Sequence, residues 1–478
     1  MGSLREKIAS IKSQSGGGDR MTLKEYVSYA VAHFGFGTLG VMSGGYLMLF
    51  YTAIGIDVAA AGSIVAVTKI WDSINDPICA TIIDNSRGRR GKFRPFLAPL
   101  VPFLAVLSVL MFLDPPTDSL RLKIVLCSVV YMVWETIGTF CGISFQSMQA
   151  VMSADLNERS NYITFANLGG KLAGALPGLI PVAFDISKKY MQESSFYSIC
   201  AVIFAVLGCA AALFSGNLKE RVRAPKNKQR IYHNFVAFFK NKQMLLLWSA
   251  NLANIISAVG WTSSSFFYIH SIGKFSVQTL VWTLTGTPTF LVMMLSPIFL
   301  KRFSPRKIVI FNNLLNAACL VAMYFSGMAV GYASTAGIAL IVIFNLIASI
   351  PSGVSGIASN VCFINTFDYT EWKTGDRAEA TSFVVTGILN KWVGALGTFV
   401  AGLLLKKAGF ADATDVILSQ ATKDSLFLFY AVFQAVGLVL SAIPYFFYKI
   451  EGSVLETVKK ELDERRAAAE GGAEVTAD

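Results

Sequence analysis

Two aspartates, Asp72 and Asp76, stand four residues apart inside an apolar run, in the stretch Lys69-Ile70-Trp71-Asp72-Ser73-Ile74-Asn75-Asp76-Pro77. In a helix that spacing places both carboxylates on one face. Lys69 lies three residues before Asp72 on the same side, and Asn75 adds a neutral oxygen donor. The run leaves into a dense basic loop with Arg87, Arg89, Arg90, Lys92 and Arg94. Ionisable groups at bilayer depth are costly, so they face a bundle interior or a wet cavity. Two acids in such a place point to a cation or proton site. The alternative is a buried Lys69–Asp72 ion pair that only fixes packing.

The composition sets the frame for that pair. Of 478 residues, 54% are hydrophobic and 15% charged, against about 25% charged in an average soluble protein. That balance describes a polytopic membrane protein. The net charge of +11 is carried by loops beside apolar segments, which speaks for membrane orientation and against nucleic-acid binding. The seven cysteines fall inside apolar runs with no CxxC or CxxH spacing, so disulfides and zinc are not expected and all seven read as small apolar fillers. No nucleophile–base pair or cofactor motif indicates an enzyme. The first twenty residues are polar, so no cleavable signal peptide is expected and the first span directs insertion.

Twelve apolar runs follow one another, at about 26–51, 58–83, 95–114, 124–152, 162–184, 197–214, 244–270, 277–300, 308–330, 336–364, 380–405 and 426–448. A span needs about 20 residues. The expected organisation is a cytoplasmic lead-in (1–24), a six-helix bundle (25–216), a hydrophilic linker (217–242), a second six-helix bundle (243–450) and a charged cytoplasmic tail (451–478). Basic clusters follow the even-numbered runs, at 85–94, 218–230 and 301–307, which puts both termini in the cytoplasm. The two halves echo each other weakly, since runs two and eight both end in basic loops. Runs four and ten both end in acidic-plus-basic ones, Asp155 with Arg159 and Asp368 with Arg377. An all-α membrane protein of twelve transmembrane helices in two such bundles has the major facilitator architecture, with substrate and ion sites near the midplane and alternating access. Asp84, Arg90, Arg94, Asp155, Arg159, Asp368, Glu371 and Arg377 then read as a cytoplasmic gate of ion pairs, or as residues that only fix topology.

Trp71-Asp72-Ser73-Ile74-Asn75-Asp76-Pro77 followed by Gly91-Lys92-Phe93-Arg94-Pro95, and Asp368-Tyr369-Thr370-Glu371-Trp372-Lys373-Thr374-Gly375-Asp376-Arg377 followed by Lys391, resemble the glycoside–pentoside–hexuronide:cation symporter family, the melibiose-carrier group. The resemblance covers about residues 25–450. It implies uptake of a sugar or sugar derivative driven by Na+ or H+, with no cofactor. Asp72, Asn75 and Asp76 match the family's cation site, and Thr139 falls where a further ligand is often placed. Lys391, with Thr386 and Asn390 beside it, matches the region that links cation and substrate.

Departures from the family pattern shape the expected substrate. Sugar-binding members carry aspartates at positions held here by Gly37 and Gly142, an aromatic stacking residue at Gln146 and an arginine near Asn167. Lys69, Lys171 and Lys391 remain intramembrane, so fewer acids and retained cations favour an anionic substrate such as a hexuronide or glucuronide. Glu135 lies seven residues before Gly142, nearly the same face two turns away. It could replace the missing acid in coupling, or pair with Lys171 or Lys391. Trp134 could line the cavity and stack on a sugar, or anchor its helix. The leading expectation is a monomeric symporter in the lipid bilayer of the cell membrane. The alternatives are a lysolipid or amphiphile carrier of the same superfamily, and a membrane sensor without turnover.

Overall fold

The computed structural model describes residues 21–86, 91–153, 156–221, 242–374, 379–410 and 418–474. The chain forms two compact units, Met1–Asn227 with Phe410–Ile417, and Lys228–Gly409 with Leu418–Asp478. In the first unit, α1 (Leu23–Gly45) bends by 49° into a short helix, Leu47–Ala53. It is followed by α2 (Val58–Asn85), α3 (Val101–Leu110), α4 (Leu120–Val151), α5 (Leu156–Ala175, continued by Ile180–Ser187) and α6 (Glu193–Ala212). In the second, α7 (Asn254–Phe266) is preceded by Lys242–Leu252, and α8 (Ser276–Met294) bends by 59° into Ser296–Arg302. Then come α9 (Pro305–Val330), α10 (Thr335–Thr374), α11 (Glu379–Lys407), α12 (Gln434–Phe446, preceded by Gln420–Leu428) and the charged α13 (Ser453–Glu474).

Each of the twelve apolar runs has a helical counterpart. Among the described residues, seven helices are long and apolar enough to cross a membrane, or nine if each bent pair is one span. The helix α2 is long enough, at 28 residues, but less apolar, because it carries Lys69, Asp72, Asn75 and Asp76. Apolar side chains give helices no reason to associate in lipid, so close approach of small residues must supply the contact. Gly35 on α1 shows it best: a Cβ there would lie 2.2 Å from the backbone nitrogen of Ala212 on α6. Polar side chains do the same work between α9 and α10. Asn316 donates to the Asn312 and Ala348 carbonyls at 3.0 and 2.9 Å, and Ser352 to the Asn312 side chain at 3.0 Å. At the end of α10, the Trp372 indole donates to Glu461 on α13 at 2.6 Å and Arg465 donates to the Trp372 carbonyl at 2.9 Å.

The end of the first unit where α1 begins is tied by the short segment Leu218–Arg221. The Glu220 carboxylate accepts the backbone N–H groups of Lys92, Phe93 and Arg94 at 2.9, 2.8 and 3.1 Å. Gly91 opens this cradle at φ +111°, and a Cβ there would lie 2.4 Å from the Glu220 carboxylate. Arg221 grips both oxygens of Glu25 at 2.8 Å, and its backbone N–H donates to Val151 at 2.8 Å. Glu25 in turn closes a capping box with Thr22 at the start of α1. One stretch of four residues therefore joins the start of α1, the loop after α2 and the end of α4. Glu220→Ala strands three backbone donors and is expected to cost about 1–3 kcal/mol, read as a lower thermal unfolding midpoint of the purified protein, with Glu220→Gln falling between it and the parent.

Candidate functional site

The seam between α2 and α4 carries the acids. The helix α2 starts at Asp57, whose side chain accepts from the N–H groups of Ala59 and Ala60 at 3.0 and 3.4 Å. Pro77 sits inside it and removes one backbone donor just after Asp76. Asp72 is 3% exposed and Asp76 half-buried. Both converge on Thr139 of α4: its hydroxyl lies 3.0 Å from Oδ1 of Asp72 and 3.2 Å from Oδ1 of Asp76. A hydroxyl has one hydrogen, so it donates to one carboxylate at a time. Two acids and a hydroxyl oxygen thus surround one small volume, a hard-oxygen donor set suited to a small monovalent cation or a proton.

Beside it, Lys69 forms an ion pair with Glu135 of α4, and its ammonium lies 5.8 Å from the centre of the Tyr131 ring. The Trp71 indole donates to Thr136 at 3.1 Å on the same seam. The partner of Glu135 is thus Lys69, and neither Lys171 nor Lys391 as expected for its pairing role. The pair also corrects the reading of Lys69 as a cation offered to substrate, since Glu135 neutralises it, and the reading of a Lys69–Asp72 pair, since the lysine reaches across to the facing helix.

Several other expected site residues have packing roles. Trp134 is buried, with its indole donating to Ser108 of α3 at 2.7 Å. A ring so held between helices is not presented to a sugar, which corrects that expectation. Gly37 is not a vacated acid position: a Cβ there would meet the Ala173 Cβ at 2.7 Å, so close packing of α1 on α5 fills the space. Gly142 has open space around it, and Gln146 on α4 and Asn167 and Lys171 on α5 are exposed. In the second unit Thr386, Asn390 and Lys391 stand on consecutive turns of α11, the first and last half-buried and Asn390 exposed.

Of the expected gate, Arg94 is bound within its own unit, donating to the Gly216 carbonyl at 3.0 Å. A carbonyl partner supplied by the neighbouring helix end replaces the acid expected for it. Asp368 and Glu371 are half-buried near the end of α10. Arg90, Asp155 and Arg377, and the side chains of Asp84 and Arg159, lie outside the described residues. Sequence reasoning passed over Cys79, whose thiol donates to Oδ1 of Asn75 at 3.2 Å. The signal was its position four residues after Asn75, one helical turn away. The Glu220 cradle left no such local signal.

Residues 28–452 match the family described as MFS/sugar transport protein. The uncharacterized symporter YjmB of Bacillus subtilis (strain 168) is 29% identical over 418 residues, 85% of this chain and 87% of that protein. A putative sulfoquinovose importer of Salmonella typhimurium is 26% identical over 467 residues, 94% of each chain. The isoprimeverose transporter of Lactiplantibacillus pentosus is 25% identical over 439 residues, 89% of this chain and 88% of that one. Among solved structures, a D-xylose-proton symporter superposes with a TM-score of 0.56 at 12% identity over 90% of this chain and 98% of its own, a likeness that bears on the fold. The chain therefore belongs to the MFS/sugar transport protein family, as a multi-pass, cation-coupled sugar symporter of the major facilitator superfamily and not an enzyme.

Proposed function

We propose that Asp72, Asp76 and Thr139 form the coupling site, taking up Na+ or H+, and that the transported sugar is an anionic glycoside such as a hexuronide or glucuronide. The observation that carries the coupling role is the convergence of two intramembrane carboxylates on one hydroxyl, at 3.0 and 3.2 Å. Charge left uncompensated there opposes closure of the carrier around a dry interior, and a bound cation or proton removes that penalty. Coupling follows if the loaded carrier reorients and the half-loaded one does not. The basic loops support a topology with both termini in the cytoplasm.

The anionic substrate rests on charge balance. Neither Gly37 nor Gly142 supplies an acid, and no carboxylate replaces them through Glu135, which is engaged by Lys69. The intramembrane lysines Lys69, Lys171 and Lys391 shift the balance of charge in the apolar runs towards the positive, which favours an anion over a neutral sugar. Among the relatives, one is named for sulfoquinovose and another for isoprimeverose, so the substrate must be decided on this chain.

Three measurements test these assignments. In proteoliposomes, Asp72→Asn combined with Asp76→Asn is expected to bring uphill accumulation down to simple equilibration while substrate exchange continues; accumulation at the parent level would remove the two acids from the mechanism. In competition uptake, glucuronides are expected to outcompete the matching neutral glycosides by tenfold or so, about 1.4 kcal/mol, and a preference for the neutral sugars would refute the anionic reading. Glu135→Gln and Lys69→Met each strand a charged partner and are expected to destabilise by about 2–3 kcal/mol. The double variant should recover most of that loss in a thermal unfolding assay, and no recovery would deny the pair its structural role.

A further inference from the structure

We infer that Trp261 and Asn254, on one face of α7, bind the sugar, and that the cargo this face fits is a glycoside of two linked rings. The inference rests on the reading of the cargo as a glycoside and deepens it. Trp261 is 60% exposed, although it stands near the middle of an apolar span, Lys242–Ile272. At about 1.5 Å per residue it lies about 16 Å from Ile272 and about 28 Å from Lys242 along the axis. Tryptophans that anchor a helix sit at headgroup level, so this one is not an anchor. Asn254 is exposed too, and seven residues of helix bring it within about 20° of the same face. Turned to lipid, its amide would have no hydrogen-bond partner. This face therefore meets water, while Gly260 on another side of the helix closes on α12, where a Cβ would lie 2.8 Å from the Gln434 Cβ.

A wet indole offers an apolar surface to the C–H face of a sugar ring. Trp282 of α8 braces it, with ring centroids 6.4 Å apart at 45°. Asn254 donates to Oδ1 of Asn251 at 3.3 Å. Each amide has two N–H donors and an oxygen with two lone pairs. One bond between them leaves both with capacity for sugar hydroxyls, whichever way they are turned. Trp261 and Asn254 stand about 10 Å apart along the axis, too far for one ring to touch both and within the reach of two linked rings. The helix α11 supplies the other end. Val385 shares an apolar cluster with Met244, and a Cβ on Gly397 would lie 2.3 Å from the Ala258 Cβ, so α11 runs alongside this span in the same direction. Counted from those contacts, Asn390 and Lys391 come about level with Asn251. One ring then lies by the asparagines with its acid towards Lys391, and the second ring stacks on Trp261.

The test is thermal stabilisation of the full chain in nanodiscs. The probes are methyl glycosides and disaccharides of glucose and galactose, α- and β-linked, each as the neutral sugar and as the uronic acid. Trp261→Leu keeps apolar bulk without the ring and is expected to raise the half-stabilising concentration of the two-ring probes roughly three- to tenfold, the worth of an aromatic contact, and that of the one-ring probes less. Trp261→Tyr, which keeps an aromatic face, should stay near the parent. Asn254→Ala is an exposed change that carries the test if the leucine variant is unstable, with a loss of roughly three- to tenfold for the two-ring probes. Equal losses for one-ring and two-ring probes in Trp261→Leu overturn the inference, as does a parent that responds to none of the probes. Variants that bind every probe as the parent does and melt higher without ligand place the face in lipid, which also overturns it. The charge reading is scored separately on the parent: preference for the neutral member of each pair refutes the anionic cargo, while a selective two-ring loss in Trp261→Leu still supports the role of α7.

Discussion

A carboxylate taken out of water into hydrocarbon loses hydration that only a partner charge or dense hydrogen bonding can replace. Four charged side chains meet that constraint on the single seam between α2 and α4. Lys69 and Glu135 satisfy each other across the seam. Asp72 and Asp76 share one hydroxyl. The seam thus combines a neutralised pair, which fixes two helices against each other, with a pair of acids that meet on one hydroxyl. The coupling role proposed for the acids draws on both: helices fixed against each other, and oxygens gathered where a transported ion could sit.

Rigid walls in lipid depend on backbones coming close. The first unit achieves this with glycines where α1 meets its neighbours, Gly35 against Ala212 and Gly37 against Ala173, and with the Leu218–Arg221 segment that ties three connections at one end. The two devices act at different depths. Glycine contacts set the spacing of helices along their length, while Glu220 and Arg221 fix where the chain enters and leaves them. Glu220 and Arg221 bind the loop after α2 and the end of α4, the two helices whose register decides which side chains face each other across the seam.

The parts of this arrangement that were legible in the sequence are those set by local spacing. Apolar runs of sufficient length gave the helices, and acids four residues apart gave a shared face. Pairings between distant segments were not legible. Lys69 and Glu135 are separated by 66 residues, and nothing local distinguishes that pair from one with Lys171 or Lys391. Arg94 was expected to find an acid and instead binds a carbonyl at Gly216, because carbonyl acceptors have no sequence signature. Gly37 was misread because a glycine looks the same whether it leaves a cavity or admits a neighbouring helix. Trp134 was misread because a tryptophan needs an apolar contact and one acceptor, and a core with Ser108 meets both needs as well as a sugar site does.

The ion pair beside the acids also bears on the coupling role proposed for Asp72 and Asp76. Lys69 stands three residues before Asp72 on the same helix face, close enough for its ammonium to bind that carboxylate directly. Such a pair would place a permanent cation where a transported one is needed, and the site would be neutralised from within. Glu135 prevents this by drawing Lys69 across the seam. Under the proposed coupling role its carboxylate would serve without binding the transported ion, by keeping this lysine off Asp72. The ammonium, held one turn away, acts on those carboxylates at a distance, and under the same proposal a looser hold by Glu135 would let Lys69 compete with the ion for Asp72.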